Sequence, residues 1–177
     1  MDIEFLVQLV VGLLLFLWLI SQRKLFNPLY LVFFSYHAFK RLDKKAKKPT
    51  AKLVLEFCEL NIGNPKSKPR IEIIETTKKM DLKKLAGQYQ VESMTIKVNE
   101  KYARSLFSLT RVILHEYAHH MQFLAFHNED YERISKDPKV NYSNHPWENQ
   151  ARRMSSDFWR PCIEYVLIRQ GYMDEEE

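Results

Sequence analysis

The sequence predicts an α+β fold in which a small sheet of about three strands precedes two long helices, with an apolar helix at the amino-terminal end. Three observations support this prediction. The segment Ile3–Ile20 is almost uniformly apolar. Residues Met94–Val98 alternate between apolar and polar side chains, which is typical of a half-buried strand. From Ala103 to His127, apolar side chains recur with the period of a helix, and no Gly or Pro interrupts them.

The composition indicates one domain of ordinary size and excludes several classes of protein. The chain has 177 residues, and its four Gly and seven Pro exclude a collagen-like or low-complexity chain. Its two cysteines, Cys58 and Cys162, lie far apart and form no C-x-x-C pair. We therefore expect neither a disulfide framework nor a thiolate metal site, and each thiol is interpreted as buried or idle. The net charge of +5 averages a basic amino-terminal half with an acidic carboxyl-terminal end.

The apolar segment Ile3–Ile20 is interpreted as a transmembrane anchor. About 20 apolar residues span a bilayer core, and Trp18 is placed for the interface. A cleaved signal peptide is the alternative, but Asp2 and Glu4 stand where its basic residues belong, and no small-x-small cleavage site follows. The next apolar stretch, Leu25–Phe39, is short for a second span. We interpret it as a helix on the membrane surface or packed on the following domain, with a second span as the alternative.

A dense basic run follows this stretch and ends at Pro49; its members are Lys40, Arg41, Lys44, Lys45, Lys47 and Lys48. Because positive charge flanks the anchor only on its carboxyl side, we expect a single-pass membrane protein with its folded domain in the cytoplasm. The run also suits an anionic leaflet. A nucleic-acid patch is the competing interpretation, which the adjacent membrane segment disfavours. The predicted organisation is thus a membrane anchor with its juxtamembrane segment over 1–48 and a folded domain over 49–177.

The folded domain is predicted to begin with a helix over Thr50–Leu60, followed by a loop to Pro69. Three short segments then have the composition or the alternation of strands, with a polar connection after the first. They are Ile71–Glu75, Gln88–Val91 and Ser93–Val98.

The long helix that follows carries an H-E-x-x-H pattern, HEYAH, at residues 115–119. Asn99 is its predicted N-cap, with Glu100 in the first turn. Histidines four positions apart on a helix lie near one face, about 6 Å apart along the axis, so His115 and His119 can bind one metal ion. Glu116 is then placed to act as a general base on a water at that metal. The competing interpretation is a charged helix face without a metal.

A second helix is predicted to begin at Asn-His-Pro, residues 144–146, after a polar stretch without a convincing helix. Asn144 is the candidate cap, and the proline falls in the first turn, where its missing N–H costs nothing. The helix is predicted to continue to Phe158. Pro161 is expected to break or kink it, so that Cys162–Ile168 forms a last short helix.

A third metal ligand remains to be assigned, because catalytic zinc takes three protein ligands and leaves a fourth position to water. The metzincin pattern is excluded, since Gln122 and Ala125 stand where it requires Gly and His. Glu148 is preferred because it is an acid early in a separate helix, after a loop long enough to fold that helix back beside the first. A carboxylate that balances the helix dipole is its alternative role. The other available residues are His127, Glu129, Asp130, Glu132, His145, Asp157 and Glu164.

With these residues in place, the chain resembles the gluzincin clan of zinc metallopeptidases. The matching pieces are HEYAH at 115–119 and WENQA at 147–151, which looks like the clan's glutamate helix. A sheet, a motif helix and a glutamate helix in one short domain resemble the compact minigluzincins in particular, and the ImmA/IrrE-like peptidases more distantly. The resemblance covers residues 70–160 and leaves out the apolar amino-terminal segment.

The resemblance implies a zincin-like fold and a zinc-dependent endopeptidase acting on a peptide or protein substrate. It implies that Zn²⁺ is held by His115, His119 and Glu148, with Glu116 as the general base. Gluzincins often carry an Asp four residues after the glutamate ligand, where it supports a histidine. Arg152 stands at that position here, so the chain departs from the pattern.

The resemblance also implies an oxyanion stabiliser and an edge strand that pairs with the substrate. Tyr142 and His145 are the candidates for the first role, and the strand Met94–Val98 is the candidate for the second. His120, beside the motif, is interpreted as a surface or core histidine that points away from the metal ligands.

Two alternatives to an active peptidase stay open at this point. The domain could be a catalytically silent zinc module that serves as a membrane-tethered sensor or scaffold; the intact Glu116 argues against this. The enzyme could also be latent, with its cleft covered by the carboxyl-terminal segment Cys162–Tyr172.

Overall fold

The computed structural model describes residues 28–63, 65–75, 85–125 and 145–173. The chain forms two compact units, residues 1–37 and 38–177. None of the helices in the described part is both long enough and apolar enough to cross a bilayer. The predicted anchor Ile3–Ile20 lies outside the described residues, so it stays a prediction.

Helix α1 comprises Pro28–Phe39, which falls within the predicted apolar stretch. Its 12 residues correspond to about 18 Å of helix, well short of a bilayer core of about 30 Å. A second span is therefore not found within the described ranges. Several large apolar side chains of α1 are nevertheless exposed, namely Leu31, Val32, Tyr36 and Phe39.

Helix α2 comprises Lys44–Asn61 and begins well before the predicted start at Thr50, with Pro49 inside it. Part of the basic run is therefore helical. One of its members, Lys47, is buried, and its Nζ lies 3.2 Å from Oε1 of Glu100. This ion pair ties α2 to the turn that precedes the motif helix.

The three predicted strands are confirmed, with their bounds shifted by one or two residues. They are β1 (Arg70–Ile74), β2 (Gly87–Gln90) and β3 (Thr95–Asn99). The sheet is mixed, with strand order β1-β3-β2; β3 pairs parallel to β1 and antiparallel to β2. The α+β class with a small three-stranded sheet is thus confirmed.

The prediction that Met94–Val98 offers an edge to a substrate is wrong, because β3 is the central strand. Its Ile96 pairs with Ile71 on one side and with Tyr89 on the other. A strand with partners on both sides has no row of unpaired backbone groups to present. Among the strands that the structure describes, β1 and β2 are the edges of this sheet.

Helix α3 comprises Leu106–Ala125 and contains the H-E-x-x-H pattern. Two serines cap its amino-terminal end: the N–H of Ser108 donates to Oγ of Ser105 at 3.2 Å, and the N–H of Ser105 donates to Oγ of Ser108 at 2.9 Å. This reciprocal pair satisfies two of the orphan donors of the first turn in the manner of a capping box.

The predicted N-cap at Asn99 is therefore wrong, and Glu100 is not in the first turn of the helix. Asn99 ends β3 and is buried. Its side chain stabilises the local turn instead, because Oδ1 accepts from the N–H of Lys101 and Nδ2 donates to the carbonyl of Leu85, both at 3.1 Å.

Helix α4 is continuous from Pro146 to Arg169, so the break predicted at Pro161 is wrong. A proline inside a helix costs about 3 kcal/mol. Beyond it, however, Ile163, Val166 and Leu167 are fully or almost fully buried. Burying each such side chain contributes about 1.5–3 kcal/mol, so their packing outweighs the cost of the proline.

The motif helix lies at the centre of the domain. Helix α3 packs against β2, β3, α2 and α4, and α2 also contacts β1 and α4. Cys58 and Cys162 are both free and buried, as expected. The side chains of this core are fully or almost fully buried; the largest are Val54, Phe57, Ile96, Val98, Leu109, Ile113, Leu114, Tyr117, Ile163, Val166 and Leu167.

Candidate metal centre

The two histidines of the motif face each other on consecutive turns of α3. The rings of His115 and His119 have centroids 4.8 Å apart and planes at 83°, and their Nε2 atoms are 3.2 Å apart. The predicted common face is therefore confirmed by the geometry.

Glu148, the third residue of α4, completes this pair. Its Oε2 lies 3.2 Å from Nε2 of His115, and its Oε1 lies 3.2 Å from Nε2 of His119. The three side chains form a cluster that can hold a metal ion. Among the other acids proposed as ligands, Asp157 is exposed and Glu164 pairs with Arg160 at 3.6 Å. His127, Glu129, Asp130 and Glu132 lie outside the described residues.

The spacing of the three side chains can be compared with that of a zinc site. Zinc binds imidazole nitrogen and carboxylate oxygen at about 2.0–2.2 Å, so two corners of its tetrahedron are roughly 3.3–3.5 Å apart. Nε2 of His115 lies 3.2 Å from Nε2 of His119, and each of these nitrogens lies 3.2 Å from a different oxygen of Glu148. With one ligand atom taken from each residue, the three atoms lie within 4.8 Å of one another, so the side chains are close enough to hold an ion of this size.

Gln122 determines which nitrogen of His119 faces this cluster. The amide nitrogen of Gln122 donates to the carbonyl of Trp147 at 3.0 Å and to Oε1 of Gln150 at 2.9 Å. Its oxygen must then face Nδ1 of His119, which lies 2.8 Å away, so Nδ1 carries the hydrogen. In the neutral ring, Nε2 is left with its lone pair directed at the cluster, which is the form that binds a metal.

The charges at the cluster favour a cation. Burial by itself raises the pKa of Glu148, but the hydrogen bonds and charges of His115 and His119 hold it well below its usual value. Burial likewise lowers the pKa of His119, but Glu148, Glu116 and Gln122 together raise it. The site thus stabilises positive charge between these side chains.

Glu116 is buried next to the cluster but is not one of its three members. Burial raises its pKa, an effect that His119 and His115 partly offset, and the backbone N–H of Tyr89 donates to its carboxylate. It is therefore held between the three-residue cluster and strand β2.

Gly87 on β2 makes this approach possible. A Cβ added there would lie 2.6 Å from Cγ1 of Val112 and 3.0 Å from Cγ of Glu116. Contacts under 3.0 Å force atoms to move, so any other residue at position 87 would force the side chain of Val112 to shift and would crowd Glu116.

His120, also on α3, makes a second contact with strand β2. Its Nε2 donates to the carbonyl of Ser67 at 2.9 Å, so its Nδ1 accepts from the hydroxyl of Tyr89, also at 2.9 Å. The residue is fully buried, and burial lowers its pKa. The interpretation of His120 as a core histidine is therefore confirmed.

Within the described ranges, strand β2 pairs with β3 on one side and with no strand on its other side, beside Glu116. The N–H of Asn99 donates to the carbonyl of Ala86 at 2.9 Å. Because hydrogen-bonded pairs alternate along an antiparallel ladder, Gly87 and Tyr89 direct their backbone groups away from β3. The N–H of Tyr89 faces Glu116, while Gly87 keeps both backbone groups towards the edge.

A groove of about 260 Å³ lies beside this edge and reaches two of the motif residues, His115 and Glu116. Its lining includes apolar and basic side chains. They come from β2, from the two residues before β2, and from helices α3 and α4. The remaining lining residues are Leu85, Ala86, Gly87, Arg111, Val112, Arg152 and Ser155.

The structure describes one of the two candidate oxyanion stabilisers. Tyr142 lies outside the described residues. His145 is the N-cap of α4, where its Nδ1 accepts from the N–H of Trp147 at 3.3 Å; the predicted cap was the neighbouring Asn144. The structure thus gives His145 a role in starting the helix that carries Glu148.

Sequence reasoning missed three residues that shape this site. Gln122 lies three positions after His119 on the same helix, so helical spacing alone could have shown that it reaches that ring. The roles of Gly87 and Tyr89 follow from the packing of β2 beside α3, which no local sequence pattern predicts.

Comparison with protein-family models, with curated proteins and with solved structures gives no match for this chain. The class that the structure itself defines is an α+β domain with a two-histidine, one-glutamate site able to hold a metal ion.

We predict that Gln122→Ala lowers the affinity of the site for Zn²⁺ by about 10- to 100-fold, the usual effect of removing a group that orients a histidine ligand. Competition with a chelator of known affinity measures this. Gln88→Ala, at an exposed position of β2, is the matched control and should bind zinc as the unmodified protein does. Equal affinities of the two variants would contradict the role of Gln122.

Proposed function

We propose that this protein is a zinc-dependent endopeptidase of the gluzincin type. The observation that carries the proposal is the set of 3.2 Å separations among His115, His119 and Glu148, with Glu116 buried beside them. Two imidazoles and a carboxylate are the donor set of a catalytic zinc site with one open position.

The chain's residues divide the chemistry between them. When bound, Zn²⁺ supplies a Lewis acid that lowers the pKa of a water towards about 7 and polarises a carbonyl. Glu116 accepts the proton of the attacking water and passes it to the leaving amine. Gln122 keeps His119 in the required tautomer through the 2.8 Å bond to Nδ1.

We propose that the substrate pairs with the outer edge of β2, rather than with β3 as the sequence suggested. The open backbone groups of Gly87 lie where Glu116 approaches the strand. An extended peptide that hydrogen-bonds to this edge would run past the metal ligands, as in other cases of strand addition.

A catalytically silent zinc module is the alternative function. A purely structural zinc site uses four protein ligands, whereas the described residues supply three at this cluster. The buried carboxylate of Glu116 beside it also has no role in a structural site. Both observations favour the hydrolase.

Latency through a separate carboxyl-terminal helix has no support in the described contacts. Residues after Pro161 continue α4 and pack at a distance from Glu148, with Tyr165 Oη donating to Glu56 at 2.5 Å and Gln170 Nε2 donating to Thr50 at 3.1 Å. Removing this segment would remove part of the core, so we do not propose that it covers the cleft.

We further propose that the segment Ile3–Ile20 anchors the protein as a single-pass membrane protein with residues 49–177 in the cytoplasm. The basic flank on the carboxyl side supports this orientation. An open cavity of about 800 Å³ adds to the basic surface that would face an anionic leaflet. Its charged lining residues are Arg41, Lys47, Lys101, Arg104 and Glu100.

The ligand set is tested by zinc stoichiometry of purified protein. We expect His115→Ala, His119→Ala and Glu148→Ala each to lower the bound zinc, because each removes one of three donors. Asp157→Ala should retain full zinc, since this exposed acid is outside the cluster. Full zinc in Glu148→Ala would place the third ligand elsewhere.

The base is tested by Glu116→Gln, which keeps the size of the side chain but cannot accept a proton. This variant should keep its zinc and its fold, yet lose cleavage of an unstructured protein such as casein by at least ~100-fold. If unmodified, zinc-loaded protein cleaves no peptide in a broad library, the hydrolase proposal fails and the silent zinc module is the better account.

The orientation in the membrane is tested by protease protection on intact cells. Residues 49–177 should resist an external protease until the membrane is permeabilised, because the basic flank retains them inside. Digestion of this domain from outside would contradict the proposed topology.

A further inference from the structure

The cavity of about 800 Å³ is lined largely by charged side chains from the region where α2 begins and from the chain just before α3. Its basic lining residues are Arg41, Lys47, Lys101 and Arg104, and Glu100 is the acid among its described lining residues. We call it the basic cavity. All of these residues belong to the compact unit 38–177, and they are separate from the metal cluster and from the groove beside it.

Backbone contacts bring the two arginines of the basic cavity together. Arg41 forms an antiparallel bridge with Ser105, and the N–H of Leu42 donates to the carbonyl of Arg104 at 2.7 Å. Nε of Arg104 also donates to the carbonyl of Lys101 at 2.9 Å. Residues 41–42, which follow α1, therefore lie against residues 104–105, and both arginines reach the same cavity.

The cations of the basic cavity fall into two groups. Lys47 is buried, and its Nζ lies 3.2 Å from Oε1 of Glu100 and 3.3 Å from the carbonyl oxygen of the same residue. Arg41, Lys101 and Arg104 are exposed and line the same cavity. Like charges that line one cavity repel each other, and an anion that lies among them relieves this repulsion. The three exposed side chains therefore favour an anionic ligand.

Two helices also begin beside the basic cavity. Lys47 lies in the first turn of α2, and Ser105 immediately precedes α3. The amino-terminal end of a helix carries a partial positive charge that favours anions within about one turn. The helix dipoles therefore add to the field of the basic side chains.

The basic cavity has room for more than an inorganic ion. Its volume lies within the range of about 300–1,000 Å³ that is usual for sites of small organic ligands. Its lining also includes two apolar side chains, Phe39 and Leu42. The ring of Phe39 packs against that of Phe107, with centroids 4.8 Å apart. An anion that carries an organic group fits this mixture of charged and apolar surface.

We propose that the basic cavity binds a phosphate monoester, whose phosphate group lies against Arg41, Lys101 and Arg104 and whose organic group lies towards Phe39. A phosphate monoester carries a charge of about −1.5 to −2 at pH 7 and three strong acceptor oxygens. Arginine matches this group with paired N–H donors, and lysine binds it as a point charge. The inference goes beyond the proposed hydrolysis and does not depend on it, because the two sites share no residue.

The test measures binding to the full chain in an uncharged detergent by isothermal titration calorimetry. The probes are glycerol phosphate, a short-chain phosphatidic acid, and the matching short-chain phosphatidylcholine, whose phosphate is a diester. We expect saturable binding of at least one of the two monoesters, about 10-fold or more tighter than that of phosphatidylcholine, the scale of one charged hydrogen bond. Failure of both monoesters to bind, or equal binding of the diester, would overturn the inference.

The two monoesters distinguish the source of the phosphate group. Phosphatidic acid that binds about 10-fold or more tighter than glycerol phosphate identifies a lipid headgroup as the ligand. A smaller difference, or the opposite order, identifies a soluble ester, because the acyl chains then add little to the binding. Either result supports the inference, since both ligands present the same phosphate group.

Matched pairs of substitutions locate the ligand. Arg41→Gln combined with Arg104→Gln should weaken binding of the monoester by about 10-fold or more. Lys45→Gln combined with Lys48→Gln removes the same charge from exposed positions of α2 outside the lining, and should change the affinity by less than about 3-fold. Equal losses in the two double variants would indicate a diffuse basic surface rather than a site, and would overturn the inference.

Comparison of zinc-loaded with chelator-treated protein separates this inference from the proposed function. Phosphate can also bind a metal ion, whereas the basic cavity contains none of the candidate metal ligands. The affinity for the monoester should therefore be the same in both forms, and it should stay so even if the protein cleaves no peptide. Binding that requires zinc would place the phosphate at the metal cluster and overturn the inference, while leaving the hydrolase proposal standing.

Discussion

The amide of Gln122 is the contact on which the arrangement of the candidate metal centre depends, because it joins the two helices that carry His115, His119 and Glu148. Its oxygen faces Nδ1 of His119 on α3, and its nitrogen donates to Trp147 and Gln150 on α4. One side chain thereby determines both the tautomer of a ligand and the position of the turn that carries Glu148. Buried polar groups are costly when unpaired, so this network has one low-energy arrangement rather than several.

Strand β2 depends on the same helix through a second set of contacts. Nδ1 of His120 accepts a hydrogen bond from the hydroxyl of Tyr89, and Gly87 leaves room for Glu116. Three nearby residues of α3 therefore face different partners: Glu116 faces β2, His119 faces the candidate metal cluster, and His120 faces the hydroxyl of Tyr89. Because all three belong to one helix, the helix positions the cluster and strand β2 together.

Local spacing explains which parts of this site the sequence predicted. His115 and His119 follow from helix geometry alone, and Glu148 follows from an acid placed early in the next helix. The central position of β3 could not be predicted, because alternation identifies a strand but not its neighbours in the sheet. The continuation of α4 through Pro161 was missed for a related reason: the cost of the proline is local, whereas the burial of Ile163, Val166 and Leu167 that offsets it is tertiary.

The departure from the gluzincin pattern at Arg152 is consistent with the support that His119 receives from Gln122. In the clan that the sequence resembles, an Asp often stands at that position on the glutamate helix and supports a histidine. Here the support for His119 comes from Gln122 on its own helix, 2.8 Å away, so position 152 is not needed for it. A basic side chain at position 152 can then be accommodated without loss of the orientation of His119, and it lines the groove beside Glu116. The orientation of the histidine and the charge of the groove wall thus depend on different helices.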